Sequence, residues 1–340
     1  MQRSARITII GLGIILPLLM LSTTPATAKT VVIKLATLAP EGSSWSETFN
    51  SIDAEIQQKT DGQVRCKLYA GGVLGDEKDM LRKMHIGQIH AAALTSAGLS
   101  AIFEEMDVFQ IPFLFESHEE VDFVLTQMDA FFRQGFDKNN YVLLGWSEAG
   151  FVRLMSTKPV ATLADLRKVK VWTWEDAPMT RVIFEEAGVS AIPLSVPDVL
   201  VGLQTGLVDV VYAPPSGAIS LQWFTKTRYI TDVNLIYLIG GVVIKKKVFN
   251  TLAPAHQKIV TDVWQRQMNR LKQTIREENQ EAMQVMVKQG IKIIDPTPDQ
   301  IAEFKKVSAK AIQRLEGQTY SQKTLNEVMA DLESYRKKNQ

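Results

Sequence analysis

Apolar residues change period along this chain, and each change predicts an element. Residues 31–36 are almost continuously apolar, the pattern of a buried strand. Over residues 45–59 the apolar positions Trp45, Phe49, Ile52 and Ile56 return at helical spacing, so one stripe of a helix faces a core. Ser44 and Glu47 have the spacing of a capping box at its start, and Thr60, Asp61 and Gly62 stop it. Strands at 64–69 and 91–95 flank a helix over 76–86, with Gly71, Gly72 and Gly75 supplying the turn. The chain therefore opens as βαβαβ. The small residues Thr95, Ser96, Ala97 and Gly98 at the third strand end permit close approach of a ligand or another backbone.

The aromatic run 109–115, broken by Pro112, reads as core or cleft wall. An amphipathic helix over 118–136 precedes strands at 141–146 and 151–155, separated by residues 147–150; this pair predicts a crossing between two domains. From 163 to 215 helices (164–167, 179–187, 197–205) alternate with strands (170–174, 191–193, 207–212), the pattern of a parallel sheet covered by helices. Residues 216–224 continue as helix, and 235–244 form a strand that returns to the first domain. A helix over 254–289, longer than a compact domain usually holds, predicts a strut spanning both domains. A strand at 291–294 and amphipathic helices at 298–314 and 321–337 complete the chain. The fold class is α/β in two domains.

Ligands of such sheets sit outside the carboxyl ends of the strands. Those ends are Trp172-Thr173-Trp174 and Tyr212-Ala213-Pro214. Alternation puts Trp172 and Trp174 on one face, a floor for a ligand, with core packing as the plainer role.

Composition narrows the function. Residues 1–28 have a positive start at Arg3 and Arg6, an apolar run from 7 to 21 and the small-x-small signal Ala26-Thr27-Ala28; they predict a secretory leader cleaved after Ala28 and a mature protein in the periplasm. The apolar run is short beside the roughly 20 residues of a membrane span. With 38 basic and 37 acidic residues there is no nucleic-acid footprint. The single cysteine, Cys66, excludes an internal disulfide and reads as a buried free thiol. His85, His90, His118 and His256 are scattered, so no metal site is predicted. Neither a phosphate loop nor a nucleophile elbow is present, and no cofactor is expected.

Four segments carry a family resemblance: 33–45 (IKLATLAPEGSSW), 69–77 (YAGGVLGDE) followed by Ile86-Gly87-Gln88-Ile89, 164–171 (ADLRKVKV) and 203–209 (LQTGLVD). In this order and spacing they resemble the solute receptors of TRAP transporters (tripartite ATP-independent periplasmic transporters), the DctP family. The resemblance covers nearly the whole mature chain. It implies a fold similar to type II periplasmic binding proteins, with hinge strands and a long bracing helix. The first domain would be 29–151 plus 238–286, and the second 152–237 plus 287–340. The implied function is capture of a small molecule between the domains, without catalysis, and delivery to the membrane permease subunits, with an additional periplasmic partner as an option.

The chain also departs from the family. The family's usual carboxylate-clamping arginine falls on Trp172, a second arginine falls near Val152 beside Arg153, and the usual asparagine falls on Ala213. Indole offers one neutral donor where guanidinium offers a charged fork. The expected ligand is therefore apolar or aromatic, or a cation over the indoles with Glu148, Glu175 or Asp176 as counter-charge. The alternative is an ordinary organic acid held by Arg153, with Arg181 as another substitute; an exported enzyme and a sensor or interaction protein are further alternatives. The candidate ligand-binding residues are Trp172, Trp174, Arg153, Tyr212, Ala213, Thr95, Glu41, Trp45 and Trp223.

Overall fold

The structure, a computed structural model, describes residues 30–175, 177–315 and 317–339. The predicted leader and Asp176 lie outside the described residues. The chain opens with β1 (Val31–Thr37), α1 (Ser44–Lys59), β2 (Val64–Tyr69), α2 (Glu77–His85), β3 (Ala91–Thr95) and α3 (Ser96–Ser100). A buried 3-10 helix at Glu104–Gln110 leads to α4 (His118–Lys138) and β4 (Tyr141–Phe151). The middle contains β5 (Arg153–Ser156), α5 (Leu163–Leu166), β6 (Val171–Trp174), α6 (Pro178–Ala187), β7 (Ala191–Leu194), α7 (Val196–Gln204), β8 (Val210–Ala213), α8 (Pro215–Ser220) and β9 (Tyr229–Thr231). The chain then runs through β10 (Tyr237–Lys245), α9 (Lys246–Phe249), α10 (Pro254–Lys288), β11 (Lys292–Ile294), α11 (Pro298–Leu315) and α12 (Gln322–Asn339).

These strands form two sheets, in the orders β2-β1-β3-β10-β4 and β11-β9-β5-β8-β6-β7. The α/β class with two sheets agrees with the sequence pattern. In the first sheet β3 is central, and its small side chains divide by alternation. Ala91 and Ala93 face the core under α1 and α10, while Ala92 and Leu94 face the core under α4. Burial on both faces explains why this strand lacks polar alternation.

Within 163–215 the strands β6, β7 and β8 pair in parallel, as the alternating pattern predicted, and antiparallel pairs enter through other strands. β10 runs antiparallel to β3 and β4, and β5 runs antiparallel to β8 and β9. These are the strands that cross between the sheets. The outgoing chain at Val152 and the returning chain at Leu235 and Ile236 lie side by side, with Val152 N donating to Ile236 O (2.9 Å) and Leu235 N donating to Val152 O (3.0 Å).

The predicted break at 147–150 is absent, and β4 continues to Phe151. Its polar Glu148 is accommodated because Arg276 on α10 donates to both Glu148 oxygens (2.7 and 2.9 Å) and to both Asp122 oxygens (2.9 and 2.8 Å). The first helix is capped by Ser43, not Ser44: the Ser43 hydroxyl accepts from Ser46 N. The helix predicted over 216–224 stops after α8, where Gln222 takes a left-handed backbone (φ 60°), and a 3-10 turn follows at Trp223–Lys226. The short strand β9 had no apolar run long enough to announce it.

Helix α10 has 35 residues, about 52 Å at the usual rise. Its Val260, Val263, Trp264 and Met268 pack into the first-sheet core, while Met283 and Met286 pack into the second. It is thus the strut the sequence predicted. Helix α11 packs on α6, and α12 packs on α4, where Arg336 donates to Glu120 (2.6 and 3.0 Å). Cys66 is a buried free thiol; burial, with Asp53 nearby, pushes it up to about 12. No helix among the described residues is long and apolar enough to cross a membrane.

Candidate functional site

A cavity of about 180 Å³ lies between the sheets, at the carboxyl ends of β1, β3, β6 and β8. Seven of the sequence-predicted residues meet there: Trp172, Trp174, Tyr212, Ala213, Thr95, Trp45 and Trp223. Their geometry follows from strand ends and one turn. Trp172 and Trp174 share a face of β6 with ring centroids 5.9 Å apart, Tyr212 from β8 lies 4.7 Å from Trp172, and Trp223 meets Trp172 edge-on at 5.2 Å. Trp172 is both core and lining: only 1 % of its surface is exposed. The opposite wall comes from the first sheet, with Thr37, Thr95 and Gly240. A side chain at Gly240 would meet the Trp45 ring at 2.9 Å, so glycine there makes room for the indole.

Arg153 and Glu41 are not in the cavity. Val152 is the lining residue, and strand alternation turns Arg153 away, where it donates to Asp232 at 2.8 Å. Glu41 is exposed and lines a separate pocket with Arg65 and Tyr69. Glu148, considered as a counter-charge, is paired with Arg276 instead. Glu175 is exposed and Arg181 does not line the cavity.

Among the described lining residues there is no Lys, Arg or His, and the carboxyl groups are Glu77 and Glu278. Glu77 accepts from Thr95 N (2.7 Å) and the Thr95 hydroxyl (2.9 Å). Burial, against these bonds and with Asp76 adjacent, pushes its carboxyl up to about 8. Glu278, on α10, accepts from the Ser44 hydroxyl. Asp76 links the two walls: it caps α2 through Glu77 N (2.7 Å) and accepts from Trp174 Nε1 (2.9 Å) and Val196 N (2.7 Å). Sequence reasoning missed Glu77, Glu278 and Asp76. Acids in a first helical turn read as ordinary caps, and Glu278 is hidden among the many charges of α10. No group of three or more metal-ligating side chains is found among the described residues.

Residues 35–318 match the sequence model of DctP, the bacterial extracellular solute-binding proteins of family 7. The chain belongs to this family. It is a TRAP-type solute receptor. Among its relatives is the 2,3-diketo-L-gulonate-binding periplasmic protein YiaO of Escherichia coli, 24% identical over 254 residues, covering 73% of this chain and 75% of the relative. The sugar acid binding protein DctPAm of Advenella mimigardefordensis, solved with galactonate, has a similar fold, with a TM-score of 0.85 at 18% identity over 90% of this receptor and 99% of that chain. A TRAP periplasmic solute binding protein of Desulfovibrio salexigens, solved with orotic acid, gives a TM-score of 0.81 at 18% identity over 90% and 99%. These likenesses agree with the two-sheet fold of the receptor.

Proposed function

We propose that the receptor captures a small molecule without a carboxylate, whose apolar or aromatic body fills the cavity. The observation that carries this is the absence of any basic side chain among the described lining residues, with Trp172 standing where the family resemblance puts an arginine. A carboxylate enclosed without a cationic partner is heavily penalised. The volume suits a ring-sized ligand, since an apolar cavity of about 150 Å³ accepts benzene. Acids are named for several relatives, but an acid here would require Arg153 to leave Asp232 and turn through the strand.

The two sheets are then the cores of two lobes, 29–151 plus 238–286 and 152–237 plus 287–340, hinged where the chain crosses beside Val152 and Ile236. The leader directs the chain to the periplasm and is removed after Ala28. The closed receptor hands its ligand, chemically unchanged, to TRAP permease subunits. Native mass spectrometry of receptor purified from periplasm, followed by release of the bound molecule, tests the ligand class. The expected result is an apolar or aromatic compound lacking a carboxyl group; a bound organic acid overturns it.

A further inference from the structure

Given a receptor cavity without a carboxylate clamp, we propose that its ligand is an organic ammonium ion, with the positive headgroup paired to Glu278 and an apolar ring among the indoles.

An anion needs N–H donors, and five at the lining are engaged by the protein's own acceptors. Trp172 Nε1 donates to Leu194 O (3.0 Å) and Trp174 Nε1 to Asp76 (2.9 Å). Thr95 N donates to Glu77 (2.7 Å), Val196 N to Asp76 (2.7 Å) and Ser216 N to the Asn279 side-chain oxygen (3.0 Å). The Val196 and Ser216 groups lie in the first turns of α7 and α8, where a free N–H would favour an anion. With both N–H groups held elsewhere, Trp172 and Trp174 offer the cavity π surface, which is negative on its face and attracts cations.

The acceptors are left over. Glu278 is half-buried in a largely apolar lining; the Ser44 hydroxyl is its hydrogen-bond donor, and it has no basic partner among the described residues. An enclosed carboxylate without a counter-ion is costly, and a cationic ligand removes that cost. Glu77 does not compete for this role: it is bound inward to Thr95, and burial holds its carboxyl mostly protonated at neutral pH. One anionic partner therefore calls for a singly charged headgroup. The cavity size limits the remainder to about one ring and a short chain.

Three probes share one ring and differ in the headgroup: phenethylamine, phenethyl alcohol and phenylacetate. Calorimetry on the mature receptor is expected to give affinity in the order amine, alcohol, acid, with the amine roughly tenfold above the alcohol. Glu278→Gln should remove that tenfold advantage and leave the alcohol unchanged; an unchanged melting transition shows that the variant is folded. Equal binding of amine and alcohol, or an amine preference that survives Glu278→Gln, overturns the ammonium assignment while leaving the uncharged reading intact. Tightest binding of phenylacetate overturns both. Silence from all three probes at millimolar concentration overturns the ammonium assignment.

Discussion

Glu148 and Glu77 are both buried acids beside the first sheet, 2 % and 5 % exposed, yet they are solved in opposite ways. Glu148 receives two bonds from the Arg276 guanidinium, which also holds Asp122 and so clamps α10 to β4 and α4. Glu77 receives hydrogen bonds from Thr95 and, among the described residues, no cation, and its carboxyl rises to about 8. The first arrangement is structural: charge is cancelled inside the protein. The second belongs to the cavity wall, where the described lining residues supply no base. The difference teaches where this receptor tolerates uncompensated acid: at the wall of the cavity proposed to hold the ligand.

The largest effect should come from breaking the compensated acid. Arg276→Leu leaves Glu148 and Asp122 facing an emptied site, and chemical denaturation should show a loss of about 3–5 kcal/mol. Adding Glu148→Met to that variant should recover part of the loss; an undiminished loss would mean that packing, not charge, is what Arg276 provides.

The uncompensated acid should show itself in pH dependence instead. The Glu77 folded value, about 8, lies above its ordinary value of 4.5, so the folded state keeps a proton that the unfolded chain releases. Its stabilising contribution is complete below about 4.5 and is lost as pH rises through 8, with a slope of at most about 1.4 kcal/mol per pH unit. Glu77→Gln should flatten this window in denaturation curves taken across it. A slope that is unchanged in the variant would assign the titration to another group, with Asp107, pushed up to about 6 mainly by burial, as the next one to test.

The smallest effect is expected at Arg153. Its pair with Asp232 is partly exposed, and such pairs contribute about 0–1 kcal/mol. Arg153→Ala should therefore shift stability slightly and leave ligand affinity the same. A large loss of affinity by calorimetry would return a base to the site and erase the contrast between the two acids.

Much of the fold was legible because it is written in local periodicity. The stripe Phe49, Ile52 and Ile56 is buried as its spacing predicted, and α10 joins both cores as its length implied. The aromatic floor was also legible, because alternation along a four-residue strand puts Trp172 and Trp174 on one face. Alternation likewise decides that Val152, not Arg153, lines the cavity, although from sequence alone the register of that strand was open by one residue.

Other features depend on contacts between residues far apart in the chain. Glu148 stays in a strand because Arg276 arrives from 128 residues away. Asp76 joins both cavity walls only because Trp174 and Val196, 98 and 120 residues on, come within bonding distance. Ser44 was expected to cap α1, and it donates instead to Glu278, 234 residues away. Periodicity is a property of neighbours, so the chain alone determined most of its elements, its α/β class and its aromatic floor. Which charges meet and which remain unpaired is a property of three-dimensional proximity, and only the tertiary structure decided that the described cavity lining has acids and no base.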